Sequence, residues 1–364
     1  MEIKRQELKE LIFSLCSTMS VSGFETRADA YLASLARDNK FDAYESDGVG
    51  NHLFIKKCGK EGAPKILVDA HFDEIGFMVT DICDGGFLRI CSMGGSDPAI
   101  LQACEVTVYG KERVHGVMTS IPPHLRADKS DDSLPEIKEL FIDTGYTKEE
   151  LEKIVSIGTP VGFAEGYCEL LGDRIAGRSF DDKACGAAIL WAVSNTPADQ
   201  LAGDVYVLFS AREETSRLGG VSAAVFDVLP DYAMVTDVNL ARVPDTKKAD
   251  TVEIGKGVSI AVSAATCVPI TKSTEELCVR CGIAHSMVAA PASTGTNSPS
   301  VNFAADGIPT VDIGLPLINM HTYSEIISMD DVEALCALTS AFVCDKDIAE
   351  KFSRKREEEW SVLR

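Results

Sequence analysis

The chain has 364 residues, 45% hydrophobic and 25% charged, a composition that supports a sizeable buried core and argues against disorder. Its formal net charge of −21 argues against nucleic acid as the main partner and against an anionic membrane surface, both of which call for clustered Lys and Arg. The longest near-apolar run, residues 257–270, is too short and too rich in Ser and Thr to span a bilayer. Twelve cysteines are scattered with no disulfide-scaffold rhythm, and MEIKRQELKE carries charge where an export signal needs an apolar core. Reduced thiols in a cytoplasmic protein are expected.

Residues 6–19 place apolar side chains at a spacing near 3.6 and predict an amphipathic helix. A second helix is expected in VSGFETRADAYLASLARD, with Ser22 or Thr26 as its N-cap. Short strands are expected over 41–44 and 51–56. The stretch ILVDAHFDEIGFM, residues 66–78, opens as a buried strand and delivers His71, Asp73 and Glu74 where the apolar run ends. In extended chain His71 and Asp73 share one face, so Asp73 can hold the ring while its other nitrogen binds a cation. An ordinary polar turn leaves the same pattern, so this pair alone decides nothing.

From Gly76 to about Ala164, short alternating runs broken by Gly, Asp and Pro predict a small all-β unit, followed by one charged helix, YTKEELEKIVSI. The α/β periodicity resumes afterwards, which marks the segment as an insertion. FDDKACGAAILWAVSN, GGVSAAVFDVL, TKSTEELCVRCG and DDVEALCALTSAFV predict helices. DVYVLFSA, YAMVT, GVSIAVS, HSMVAAP and TVDIGLP predict strands. This alternation implies a mostly parallel sheet with helices on both faces. The tail DIAEKFSRKREEEWSVLR predicts a charged, solvated helix.

The candidate ligands collect at strand ends. His71 follows ILVDA, the pair Glu213-Glu214 follows VYVLFSA, Asp237 follows YAMVT, and His321 lies just beyond VDIGLP; Asp181-Asp182 opens a helix after AGRSF. Singly, each has a bland explanation: an N-cap for Asp181, a charged strand end for the Glu pair, a turn for Asp237, a surface imidazole for His321. Together they sit where open α/β sheets bind ligands, and two histidines with three carboxylates are the ligand stock of a two-metal site.

The pattern resembles the dinuclear metal aminopeptidases that include the glutamyl, deblocking and tetrahedral enzymes. The matching pieces are VSGFE (21–25), DAHFDEIGF (69–77), PPHL (122–125), LFIDTGYTKEE (140–150), GRSFDDKACG (177–186), REETSRLGG (212–220) and MHTYSEIISMDDVE (320–333). The resemblance implies a zinc-exopeptidase-like catalytic α/β domain, residues 1–74 with 165–364, interrupted by a β-rich dimerisation domain at 75–164. It implies two divalent ions per chain, zinc first with cobalt or manganese as alternatives. One would be held by His71, Asp181 and Asp237, the other by Asp181, Glu214 and His321. Asp181 takes the bridge because related exopeptidases place it two residues before the basic residue, here Lys183; Asp182 would hydrogen-bond locally. Glu213 would be the general base and Asp73 the group orienting His71. The implied activity is hydrolysis of N-terminal residues from short peptides by a dimer built into a tetrahedral dodecamer.

The chain departs from the family pattern in two places. Gly295-Thr296-Asn297-Ser298 stands where Gly-Thr-Asp-Ala is common, and Ile318-Asn319 where Arg-Tyr is common. These departures motivate a rival, a catalytically silent assembly subunit of the same fold. A glycosidase is the other rival, since some relatives carry cellulase labels, but Trp191 and Trp360 are the only tryptophans and neither is near the constellation. The single Cys278-x-x-Cys281, and His52, His115 and His285, read as structural; His124 matches the family without a derivable role.

Overall fold

The computed structural model describes residues 3–122, 125, 134–215 and 219–353. In chain order come α1 (Arg5–Cys16), α2 (Asp29–Asp38), β1 (Ala43–Ser46), β2 (His52–Lys56) and β3 (Lys65–His71). The inserted unit holds β4 (Gly76–Ile82), β5 (Phe87–Met93), β6 (Glu105–Tyr109), β7 (Arg113–Thr119), β8 (Phe141–Asp143), α3 (Lys148–Ile154) and β9 (Pro160–Phe163). Then follow β10 (Cys168–Glu169), β11 (Arg174–Gly177), α4 (Phe180–Asn195), β12 (Asp204–Ser210), α5 (Val221–Val228) and β13 (Tyr232–Leu240). The chain continues through β14 (Val258–Ser263), α6 (Val268–Cys281), β15 (His285–Ala290), α7 (Ser298–Asn302), β16 (Thr310–Ile318), β17 (Glu325–Ser328), α8 (Met329–Cys344) and α9 (Lys346–Phe352).

Among the described residues, 11 strands form one sheet in the order β1-β2-β12-β3-β13-β16-β17-β11-β10, with β14 paired to β16 and β15 to β14. Its centre, β12-β3-β13-β16, is parallel, as the alternation of strand and helix predicts. The flanks β1-β2, β2-β12, β16-β17, β17-β11 and β11-β10 are antiparallel, so the whole sheet is mixed. Successive side chains leave a strand on opposite faces. On β3, Ile66 and Val68 therefore pack with α1, α4 and α8 on one face, while Leu67 packs with α5 and α7 on the other. Both faces are covered, which is why the central strands read as unbroken apolar runs.

The insertion closes into an antiparallel barrel, β4-β5-β8-β7-β6-β9, with its own core of Phe77, Ile90, Val106, Val108, Ile142 and Val161. The charged helix α3 begins at a capping box between Thr147 and Glu150. It does not follow the β unit, as its place in the sequence suggests. It lies inside that unit, because the four buried residues of β9 return between β4 and β6 to shut the barrel.

Three local expectations are corrected. Neither Ser22 nor Thr26 caps the second helix: a 3-10 turn at Glu25–Ala28 precedes α2, whose N-cap residue Ala28 has no side chain to offer. The Ser22 hydroxyl instead lies 2.7 Å from the Thr215 hydroxyl. Strand β1 starts two residues later than the 41–44 expected. The tail helix is present as α9 to Phe352, and the remainder of that stretch lies outside the described residues.

Candidate metal centre

The site forms where parallel strands stop at different heights. Strand β3 pairs with β13 only through Val235 opposite Asp69, and it ends at His71 as the chain leaves for the barrel. Strand β13 runs on against β16 as far as Leu240, so Asp237 lies within a strand and not just past one. Register brings Asp237 level with His71. On the other side of β3, Ser210 of β12 pairs with His71, and the turn bearing Glu213 and Glu214 follows directly. The chain beyond β16 carries His321, and Asp181 stands at the irregular start of α4, where Asp181 and Asp182 both leave helical φ/ψ and the peptide between them is cis.

Asp181 occupies the centre. Its Oδ1 is 2.9 Å from His71 Nε2 and its Oδ2 is 3.3 Å from His321 Nε2. His71 Nε2 is also 3.8 Å from Asp237 Oδ1, and His321 Nε2 is 3.2 Å from Glu214 Oε2. Two sets of side chains could each enclose an ion: His71 with Asp181 and Glu214, and His71 with Asp182 and Asp237. The five expected ligands thus meet in one crevice, with Glu213 beside them.

The electrostatics are lopsided. Burial pushes Asp237 and Asp182 well above the usual carboxylate range, each raised further by neighbouring aspartates, and pushes Glu214 up to about 7 against the pull of His321. Burial also raises Glu213. For Asp181 burial is outweighed by hydrogen bonds from His321 and His71, which hold it below its ordinary value. His71 is driven up despite its burial, by Asp181 and Asp73, and Asp181 and Glu214 lift His321 to about 10. The nearest buried cations do not relieve this charge. Arg178 and Lys183 both turn to Glu74 Oε2, at 3.0 and 3.2 Å.

Further carboxylates hold the ligand-bearing turns by their main-chain amides. Asp73 Oδ1 accepts from the Glu213 N–H at 3.0 Å and Oδ2 from the Glu214 N–H at 3.1 Å. The His71 ring donates from Nδ1 to the Asp73 carbonyl oxygen at 3.0 Å, while the Asp73 carboxylate stands 3.6 Å away. Asp73 therefore contacts the ring chiefly through its backbone, and its side chain anchors the Glu213-Glu214 turn. Glu25 accepts from the N–H groups of Gly23 and Arg212, and Glu325 from those of Asp181 and His321. Both Asp182 oxygens are buried without an N–H or O–H donor, and its local partner is the Cys185 thiol.

Sequence reasoning missed Glu25, Glu325 and the Asp69–Asn297 pair. Two of them carried a signal, Glu325 as an acid four residues past His321 and Asn297 as a departure from the family pattern. The barrel also reaches the site: a Cβ on Gly95 would lie 3.2 Å from His321 Nδ1, so the loop after β5 packs against the imidazole. Asn297 is buried beneath the crevice, donating to Asp69 Oδ2 at 3.2 Å and to Ser210 Oγ at 2.9 Å. Ile318 pairs with Ile326 across β16 and β17, on the face opposite Ile327 of the core. His52 is buried against Asp29 and Tyr44, His115 is exposed beside Glu105, and His285 donates from Nδ1 to the Ile283 carbonyl oxygen. Cys278 is a core residue and Cys281 exposed, and Trp191 is buried on α4. His124 and Trp360 lie outside the described residues.

A mixed α/β sheet with a crevice of His, Asp and Glu at its parallel strand ends, and a barrel inserted after β3, is the architecture of a metallo-exopeptidase. A family model described as M42 glutamyl aminopeptidase matches residues 50–338, and the chain belongs to that family. It is thus a metallo-aminopeptidase, a hydrolase. It is similar to the lysyl aminopeptidase of Pyrococcus furiosus, 28% identical over 338 residues, covering 92% of this chain and 96% of that protein. It is similar in structure to an aminopeptidase of Desulfurococcus kamchatkensis, with TM-score 0.87, 27% identity, and 97% and 99% of the two chains covered. The TET1 peptidase of Pyrococcus horikoshii, described as able to assemble into a tetrahedron or a large octahedral shell, matches with TM-score 0.81 and 26% identity over 92% of this chain and 99% of that one.

The Asp69–Asn297 contact generates a test of this chain's departure from Gly-Thr-Asp-Ala. Burial pushes Asp69 up to about 7, against hydrogen bonds from Ser210 and Asn297. In Asn297→Asp a second buried carboxyl meets it, and the two cannot both ionise. The folded state then keeps a proton that the unfolded chain releases above pH ~4. The penalty is therefore small near pH 5 and grows towards pH 8, reaching about 1–3 kcal/mol. Thermal melts of both proteins at the two pH values check it; a loss equal at both, or larger at pH 5, refutes the pairing.

Proposed function

We propose that the chain removes N-terminal residues from short peptides with two divalent ions. His71, Asp181 and Asp237 hold one, and Asp181, Glu214 and His321 hold the other. The observation that carries this is Asp181, which sets one oxygen towards each histidine amid buried carboxylates that no described Lys or Arg neutralises. The donor set fits the ions: nitrogen and oxygen ligands suit zinc, with cobalt or manganese as alternatives. When bound, the ions supply a water acidic enough to ionise near neutral pH and polarise the scissile carbonyl. Glu213, half-buried beside the crevice, would serve as the base, taking up a proton from the attacking water and giving it to the leaving amine. His71 presents Nε2 because its Nδ1–H is committed to the Asp73 carbonyl, and Asp73 in turn holds the Glu213 and Glu214 amides. The surplus of carboxylates attracts the free ammonium of a peptide's first residue, which favours cutting from that end.

Elemental analysis after reconstitution is expected to give two ions per chain, and chelation to abolish activity; one ion or none rejects the reading. Asp181→Ala should empty both positions. Glu213→Gln should keep the ions and lose at least ~10²-fold in kcat. Loss of metal from that variant would mean that Glu213 and Glu214 have exchanged roles.

Assembly is proposed on two supports, the shells described for the Pyrococcus horikoshii relative and the apolar side chains exposed on the barrel segment, Ile121, Leu134 and Ile157. The catalytic unit would be residues 1–74 with 165–364, and residues 75–164 would join dimers that build a tetrahedral dodecamer and restrict entry to short peptides. Light scattering at micromolar concentration should give the dodecamer mass, and a monomer there rejects it.

Ile318 bears on substrate choice. An Arg at this position would bring a positive charge close to the turn that carries His321, whereas Ile318 makes an apolar pair with Ile326. Aminoacyl substrates with small or apolar first residues should be cleaved with higher kcat/KM than those with Glu or Asp, and Ile318→Arg should narrow the gap. A wild-type preference for N-terminal Glu would overturn this expectation while leaving the metal chemistry intact.

A further inference from the structure

Glu325 opens β17 and is 2% exposed, yet no Lys, Arg or His among the described residues forms an ion pair with it. Its partners are main-chain amides. Oε2 accepts the N–H of Asp181 at 3.1 Å and Oε1 accepts the N–H of His321 at 3.1 Å. These two donors belong to side chains that face each other across the crevice, Asp181 Oδ2 lying 3.3 Å from His321 Nε2.

The two donors differ in what local preference gives them. Asp181, with φ −75 and ψ 107, is in ordinary extended backbone at the head of α4. His321 has φ 62, as does Asn319 two residues earlier, and non-glycine residues seldom adopt that region. Such a conformation persists only where the surroundings over-determine it. Glu325 is placed to hold the His321 amide and to tie it to the Asp181 segment. It is fixed in turn by β17, where Gly177 pairs with Glu325 and Ile327 is buried in the core. Strand β11 ends at Gly177 and leads straight into the Asp181 segment, so one strand pair carries both the clamp and one of its clients.

We infer that Glu325 is a positioning residue for the metal centre, a carboxylate that sets the separation of Asp181 and His321 by clamping both main-chain amides. The inference rests on the metal reading above. A carboxylate is needed because both oxygens must accept; a glutamine has one acceptor and would turn its NH₂ towards an N–H. Partners that orient metal ligands typically matter by 10–100-fold in affinity or activity.

The test compares wild type with Glu325→Gln and Glu325→Asp, which keeps the charge but is one methylene too short to reach both amides. Chelator competition with zinc is expected to show at least ~10-fold weaker binding of one ion or both in each variant. The visible absorption of cobalt-substituted protein should shift, and kcat at saturating metal should fall ~10-fold or more with KM changed less than twofold. Melting of the metal-free proteins serves as the structural control: both variants should still unfold cooperatively, at a somewhat lower Tm because a buried amide loses its acceptor. Wild-type affinity and an unchanged cobalt spectrum in either folded variant overturn the inference, as does failure of both to fold, which would make Glu325 a requirement of the fold. If wild type itself binds no ions, the metal reading has failed and not the clamp.

Discussion

Asp181, Asp182, Glu213, Glu214 and Asp237 are all drawn into the crevice around two imidazoles, and among the described residues no Lys or Arg pairs with any of them. Burying an ionised carboxylate costs several kcal/mol even after relaxation, so such a cluster either keeps protons or takes up cations. Burial accordingly raises Asp182, Asp237 and Glu214 above the ordinary carboxylate range. Two divalent ions are the alternative. The two nearby side chains that could have settled the balance from within, Arg178 and Lys183, are both committed to Glu74. That pairing is what leaves the crevice electronegative.

The same chemical group serves two purposes here. Some carboxylates face the crevice, while Asp73, Glu25 and Glu325 accept main-chain N–H groups from the turns that carry the others. Turns at strand ends have amides without ladder partners, and a buried carboxylate satisfies two of them at once. Of these acceptors only Glu325 lies on a strand; Asp73 stands just past β3 and Glu25 in the 3-10 turn before α2, so turns from distant parts of the chain hold one another. This is why a loop residue such as His321 can hold a left-handed φ in a fixed place.

How far the sequence foretold this follows from the same division. The gathering of His71, Glu214, Asp237 and His321 was legible because apolar runs mark strands, and polar residues near their ends fall at one edge of a parallel sheet, whereas Asp181 was told from Asp182 only by the family resemblance. The insertion was legible because the periodicity changed at Gly76. The clamps were not legible, since a bond from a side chain to a distant amide leaves no spacing pattern: Glu325 and Asp181 are 144 residues apart. The extra length of β13 escaped notice because pairing with β16, and not local propensity, carries it through Asp237. For Asn297 the departure was visible, but its reason lies 228 residues away in Asp69.

The barrel is more than an appendage to this arrangement. It enters the chain within five residues of His71 and returns to the site at Gly95, where a side chain would crowd the His321 ring. Gly76, at the entry, would set a Cβ 2.7 Å from the Val161 carbonyl oxygen, so β4 and β9 pair with no room for a side chain there. After its second strand the barrel packs against the ligand turns, with a Cβ on Gly94 falling 3.4 Å from the Glu214 Cβ. Any contact that shifts the barrel is felt at His321 through Gly95, because close-packed interfaces transmit small displacements and do not absorb them. The inserted barrel and the crevice are therefore packed against each other at the turns that carry Glu214 and His321.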